Sequence, residues 1–222
     1  MQYGVDIAIR RADDLDKMML GDIAARAARG ETPTVLDIGC GAGGQARRMA
    51  TYGAAVTAID IIDYADEFVV INQDQEAIGE QNPISFVQSD ILSWLQNNSL
   101  HFDIVCFQRT LHYVSYKKAV QVLSNLRTIT KGALYLSVTG AGSAIAKAYP
   151  ALGDSMTKRF EKLSPDAQST FCITAPLCIY HEDEVHTLLK DTGWSVVQSR
   201  VSDFGNIKVV ATSNVEGKIN MV

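Results

Sequence analysis

From residue 34 to about residue 140 the chain alternates short, continuously apolar runs with longer stretches whose apolar positions recur at helical spacing. The runs cover residues 34–38, with Val35, Leu36 and Ile38, then 54–60, 84–90, 101–109 and 132–140. A run apolar at every position suits a strand covered on both faces, and strands alternating with helices give a parallel sheet between two helical layers. Ahead of the first strand, residues 13–29 read as an amphipathic helix. It carries Leu15, Met18, Met19, Ile23 and Ala27 on one broad face, with Gly30 near its end. Residues 45–52 and 115–131 read as helices, the second capped by Ser115 and stopped by Gly132.

The rhythm breaks at residues 140–180, where glycines at 140 and 142 and the pairs Ser164-Pro165 and Ala175-Pro176 interrupt two helix-like pieces, 143–149 and 154–163. An insertion after the fifth strand emerges at the edge of the sheet where open α/β proteins bind ligands. Tyr149, Phe160, Phe171 and Tyr180 either line a pocket there or pack the insertion onto the domain. Regularity returns with a helix over 181–192, closed by Gly193. Strands over 194–202 and 207–213 follow, joined by so short a turn that they must form an antiparallel hairpin. Residues 216–222 read as a frayed tail.

The candidate chemistry starts at the end of the first strand, in TVLDIGCGAGG, residues 34–44. Glycines at 39, 41 and 43 permit a sharp turn and close approach of a ligand to the backbone, with a helix N-terminus behind them. Gly39-x-Gly41-x-x-Gly44 also matches the dinucleotide fingerprint, and Asp60 ends the next strand at the spacing of a ribose ligand. Asp37 separates the two readings. An acid two residues before the first glycine would repel a pyrophosphate, but it suits a ligand that carries a sulfonium and an ammonium and no phosphate. The loop thus resembles motif I of the class I S-adenosylmethionine-dependent methyltransferases, and the terminal hairpin, absent from all-parallel dinucleotide domains, agrees.

Further motifs carry the same resemblance in order: ISFVQSD ending at Asp90, HFDIVCFQR over 101–109, and Thr110-Leu111-His112-Tyr113, similar to the family's "LHH" turn. The resemblance covers residues 34–140 well and the end of the chain more weakly. It implies a Rossmann-like seven-stranded sheet, mostly parallel with a C-terminal antiparallel hairpin, and S-adenosyl-L-methionine as cofactor. Asp37, Gly39, Cys40 and Gly41 would then meet the methionine end, with Gln108 at the end of the fourth strand. Asp60 and Ile61 would meet the ribose, with Asp63 as the alternative ribose ligand, and Asp90 and Ile91 the adenine. The family also implies that an arm containing Arg10 and Arg11 closes over the cofactor, or else that these arginines pair with structural acids.

Methyl transfer from a sulfonium needs chiefly alignment and exclusion of water, and a base only where the acceptor must lose a proton. His112 stands at the expected methyl position, as a base or as a residue that packs and orients. Arg109 is placed either to bind a carboxylate or phosphate of the acceptor or to pair with a structural acid. The fourth strand runs into Gln108-Arg109-Thr110-Leu111 instead of the Asn/Asp-Pro-Pro-aromatic tetrad of exocyclic-amine DNA methyltransferases.

Composition narrows the partners. With 222 residues, 47% of them apolar, the chain suits one domain, with a helical arm at 1–30 and a lid-like insertion at 141–180. A net charge of −5 disfavours a broad nucleic-acid face, so a small-molecule acceptor is the expected partner, with an RNA or protein methyltransferase, or a non-methylating S-adenosylmethionine-binding protein of the same fold, as the alternatives. Four cysteines show neither zinc nor redox spacing, so free thiols and a cytoplasmic location are expected, without a membrane segment or a signal peptide. His181 and His186 are five apart, one too many for two metal ligands on a single helical face.

Overall fold

All five runs become parallel strands. In the computed structural model, which describes residues 1–4, 12–79 and 82–213, they are β1 (Thr34–Ile38), β2 (Ala55–Asp60), β3 (Ser85–Gln88), β4 (Phe102–Gln108) and β5 (Thr130–Thr139). The hairpin follows as β6 (Ser195–Val201) and β7 (Asn206–Thr212), antiparallel to each other, with β7 antiparallel to β5. The sheet order is β3-β2-β1-β4-β5-β7-β6, the mostly parallel seven-stranded arrangement expected. Chain direction across the sheet reverses between β1 and β4, the place where open α/β sheets leave a crevice beyond their carboxyl ends. Arg10, Arg11 and the tail at 216–222 lie outside the described residues.

Two apolar layers sandwich the sheet. On one face α1 (Asp14–Ala27) and α2 (Gly44–Thr51) bury Met19, Ile23 and Met49 over Val35, Ile104 and Tyr135. On the other, α4 (Ile91–Asn97), α5 (Tyr116–Ile129) and α7 (Glu182–Asp191) close over Leu36, Val105, Phe107 and Leu136. The remaining helices are α3 (Ala65–Ala77), beside β3, and α6 (Pro165–Phe171), in the insertion. Among the described residues no helix is long and apolar enough to cross a membrane.

Three local expectations need correction. Gly132 does not stop α5; the helix ends at Ile129 and passes straight into β5. Gly132 lies inside the strand, where a Cβ would come within 2.5 Å of the Asp103 carbonyl oxygen, so the glycine serves close strand packing. Ser115 occupies the N-cap of α5, but its side chain makes no capping bond. In the insertion, residues 154–163 form turns and a bridge between Glu161 and Leu177, and 143–149 contain only a short 3-10 turn at Ala146–Ala148. The cause is visible at Arg159, buried at 4% exposure. Its guanidinium donates to the carbonyl of Asp154, which a helix would have used, and to the Ile179 carbonyl and Glu184 Oε2 at 2.6 Å, tying the segment to the chain that follows it.

The first turn of α1 is fastened to the far side of the sheet. Asp13 caps the helix by accepting from the amides of Leu15 and Asp16, and the Asp16 carboxylate returns a bond to the Asp13 amide, a reciprocal capping box. Lys208 of β7, only 6% exposed, donates from Nζ to Asp13 Oδ2 at 2.7 Å and also contacts Asp14. Arg200 of β6 pairs with Asp14 at 2.7 Å. Burial works to raise the carboxyl pKa values of Asp13 and Asp14, but hydrogen bonding and charge from Lys208 outweigh it and both are lowered. Removing the ammonium would strand these acids, so Lys208→Ala should lose about 3 kcal/mol of stability, read as a shifted urea midpoint. A loss under ~1 kcal/mol would mean that apolar packing alone holds α1.

Candidate active site

The turn after β1 is shaped by backbone constraints that only glycine meets. Gly39, Gly41 and Gly43 have φ of +70°, +53° and +81°. Gly43 is the N-cap of α2 and Gly44 its first helical residue, so the strained position of the fingerprint is 43, not 44. Gly39 is required twice over, because a Cβ there would sit 2.1 Å from Thr110 Oγ1 at the end of β4. Its amide and that of Cys40 donate to the Ile59 carbonyl at 2.8 and 3.2 Å. These bonds tie the loop to β2, and the Cys40 side chain is buried beneath it.

Asp60 completes this tie. Its Oδ2 accepts from the Gly41 amide at 2.9 Å and its Oδ1 from the Ile62 amide at 2.9 Å. The carboxylate therefore stands against the glycine loop at the carboxyl edge of the sheet, with Ile61 exposed beside it. Asp63 instead accepts from the Ala65 amide at the start of α3. Asp90 is the N-cap of α4, accepting from the amides of Leu92 and Ser93, and Ile91 packs into the core. Asp37 is 3% exposed at the end of β1, in register with Cys106 of β4.

The end of β4 gathers the other candidates. Arg109 is held at φ +54°, in the left-handed region rare for residues other than glycine, its amide donating to the carbonyl and hydroxyl oxygens of Ser137. Its guanidinium forms no ion pair or hydrogen bond with any described residue, whereas Arg159 and Arg200 are both paired. The Arg109 charge reaches Asp13, Asp16 and the His112 ring.

His112 lies in a 3-10 turn, Leu111–Tyr113, and is 3% exposed. Its Nδ1 lies 3.4 Å from the Thr139 amide, and its carbonyl accepts from the Cys178 amide at 2.8 Å. The residue thus joins β4, β5 and the insertion. Burial first, and the Arg109 charge second, lower its pKa to about 3. Of the two roles open to it, this geometry favours the orienting one. The four insertion aromatics divide the same way. Tyr149 and Tyr180 are buried, Tyr149 donating to the Leu177 carbonyl, while Phe160 and Phe171 pack half-buried on apolar clusters.

Asp16, absent from the sequence-derived candidates, belongs with this group: it is fully buried and its Oδ1 accepts from Gln108 Nε2 at 2.6 Å. Burial and the neighbouring Asp13 charge raise its pKa. One signal for it exists in the sequence, an acid at helical spacing within the stripe Asp16-Met19-Leu20-Ile23.

A family model described as a methyltransferase domain matches residues 35–132, from β1 into β5. The strand order, the glycine loop and the terminal hairpin agree with it. The sheet has the fold of the class I S-adenosylmethionine-dependent methyltransferases. Solved structures similar to this domain include the 1,6-didemethyltoxoflavin-N1-methyltransferase of Burkholderia thailandensis, with bound 1,6-didemethyltoxoflavin and S-adenosylhomocysteine. It is 17% identical, with a TM-score of 0.64, over 93% of this chain and 78% of that one. The magnesium protoporphyrin IX methyltransferase of Synechocystis with bound S-adenosylhomocysteine is 19% identical, with a TM-score of 0.59, over 95% and 90%. An S-adenosylmethionine-dependent methyltransferase from Methanosarcina mazei is 21% identical, with a TM-score of 0.62, over 82% and 92%. At these identities the likeness is one of fold.

The buried His112 gives this domain a testable acid response. Its folded pKa lies below the unfolded value near ~6.5. The stability linked to neutral His112 is therefore whole above about pH 6.5 and is lost as pH falls toward 3, because only the unfolded chain takes up the proton. Between pH 7.5 and 5 the loss should be about 2 kcal/mol, and His112→Gln should abolish that component in urea titrations. Identical pH slopes for the two proteins would show the imidazole to be solvated.

Proposed function

We propose that the protein transfers a methyl group from S-adenosyl-L-methionine to a small-molecule acceptor. One observation carries the cofactor reading: a glycine loop pinned by the Asp60 carboxylate through Gly41, with Asp37 buried at the preceding strand end. Carboxylates on both sides of the loop suit a ribose diol at one end and a sulfonium with an ammonium at the other, and oppose a pyrophosphate. The similar structures with bound S-adenosylhomocysteine support the same choice. When bound, the cofactor supplies an electrophilic methyl group. What this chain supplies is position: Gly39 and Gly41 give a close backbone approach, Asp60 hydrogen bonds to ribose, and Asp90 and Ile91 the adenine flank.

Arg109 supports an acceptor with an anionic group. It is the cation at the end of β4 that no described acid pairs, and its backbone is held in an unfavourable conformation there. His112 fixes the turn that presents it. The acceptor is then a small carboxylate or phosphate compound, aligned by Arg109 and methylated without a dedicated base.

Titration calorimetry with S-adenosylhomocysteine, S-adenosylmethionine and NAD tests the cofactor, and binding of NAD alone would overturn it. Asp60→Ala should weaken adenosyl binding by about 1.5–3 kcal/mol, while Asp63→Ala leaves it within about twofold. The reverse pattern would move the ribose contact to Asp63.

Incubation with methyl-labelled cofactor and a metabolite extract tests the transfer. Label moved into an anionic small molecule is the expected result, and no transfer would leave a binding protein. With that acceptor in hand, Arg109→Ala should raise its KM at least about tenfold with little change in kcat. A loss confined to cofactor affinity would assign Arg109 to the methionine carboxylate instead.

A further inference from the structure

The insertion after β5 is fastened at both ends. At its root Gly140 and Tyr180 form a parallel bridge. The Gly140 amide donates to the Gly205 carbonyl at 3.0 Å and the Ala141 amide to the Tyr180 carbonyl at 2.8 Å. The turn between β6 and β7 presses on this root so closely that a Cβ on Gly205 would lie 2.4 Å from the Ser143 nitrogen. Further along, the His112 carbonyl holds the Cys178 amide, and Glu184 of α7 holds the buried Arg159. Between these ties Tyr149, Leu163, Ile173, Leu177 and Ile179 form an apolar core of the insertion's own. A segment packed and tied in this way moves only by breaking buried contacts.

Residues 2–4 hold to it more lightly. They add a short antiparallel strand along residues 172–175, with Tyr3 bridging Ile173. The Gly4 amide donates to the Cys172 carbonyl at 2.9 Å, and the Gln2 carbonyl accepts from the Thr174 and Ala175 amides at 3.0 and 3.2 Å. Gln2 is exposed and Tyr3 and Gly4 are half-buried, so little apolar surface backs these bonds. One contact joins this strap to the candidate site. Tyr113 Oη donates to the Tyr3 carbonyl at 2.5 Å, and the two rings meet edge to face with centroids 5.0 Å apart. Tyr113 ends the 3-10 turn that contains His112 and follows Arg109.

Elements with few buried contacts open locally far more often than packed ones, and ligand gates are drawn from them. We propose that residues 2–4 are a gate on the acceptor side: they part from residues 172–175 and from Tyr113 to admit the acceptor, while the insertion stays in place as a fixed wall. This rests on the transferase reading above.

Hydrogen exchange with S-adenosylhomocysteine bound reads the two motions separately. The amides of Gly4, Thr174 and Ala175 report the strap, and those of Ala141 and Cys178 the insertion. The strap amides should exchange at least about tenfold faster than the insertion amides. Tyr113→Phe removes only the hydroxyl tie, and should speed the strap amides at least about threefold more without changing Ala141 or Cys178. A common rate for both sets, or no response to Tyr113→Phe, would overturn the gate.

A cross-link tests the consequence. Tyr3 opposite Ile173 sets residue 2 opposite residue 174. Gln2→Cys with Thr174→Cys, in a Cys172→Ser background, should therefore form a disulfide that holds the strap shut. Oxidised, this protein should move methyl label from S-adenosylmethionine into a metabolite extract at least about tenfold more slowly than after reduction with dithiothreitol. Its S-adenosylhomocysteine affinity should agree within about twofold between the two states. Equal transfer in both states, or a matching loss of S-adenosylhomocysteine affinity, would overturn acceptor entry at the strap. A wild-type protein that binds S-adenosylhomocysteine but moves no label would overturn the transferase reading instead, and the exchange rates would then decide the strap by themselves.

Discussion

The first turn of α1 is the interaction on which the arrangement of this site depends. Three acids within four positions reach three different strands: Asp13 and Asp14 to Lys208 of β7 and Arg200 of β6, and Asp16 to Gln108 of β4. Charged pairs at a surface contribute little, but Lys208 and Asp16 are almost wholly removed from water, where a lost partner is expensive. The helix entry is therefore fixed over the carboxyl edge of the sheet. The glycine loop after β1 and the turn after β4 end at the same edge, because the two strands are parallel neighbours.

Inside this frame, acids and cations divide by task. Lys208, Arg200 and Arg159 are consumed in holding elements together, each by a named carboxylate. Arg109 pairs with no acid among the described residues, although its charge reaches Asp13 and Asp16. Its backbone is left-handed and its amide is taken by Ser137, which fixes the turn at the end of β4. A cation on a constrained backbone, unpaired among the described residues, suits an anionic ligand that arrives at this strand end.

Much of this was legible in the sequence, because the signals were local. Continuous apolar runs marked the five parallel strands to within one or two residues, and the short turn before β7 demanded a hairpin. The glycine loop and Asp60 could be read because backbone conformation and strand ends dictate residue type directly. The insertion was opaque for the opposite reason. Arg159 satisfies carbonyls up to 20 residues away, and nothing in its neighbourhood shows that a charged side chain will replace helical bonding. Gly132 misled in the same way, since its purpose is the Asp103 carbonyl across the sheet and not the end of the helix beside it.

Asp16 shows where the boundary runs between the two cases. An acid inside an apolar stripe is a local anomaly, visible in the sequence, and burying it without a partner would be prohibitive. Its partner stands 92 residues away, on a strand whose neighbour only the topology supplies. The anomaly thus announces that a buried polar contact must exist but not with what. Once the sheet places Gln108 opposite, valence fixes the orientation: a carboxylate can only accept, so the amide nitrogen turns to Asp16 and the amide oxygen is left without a donor among the described residues.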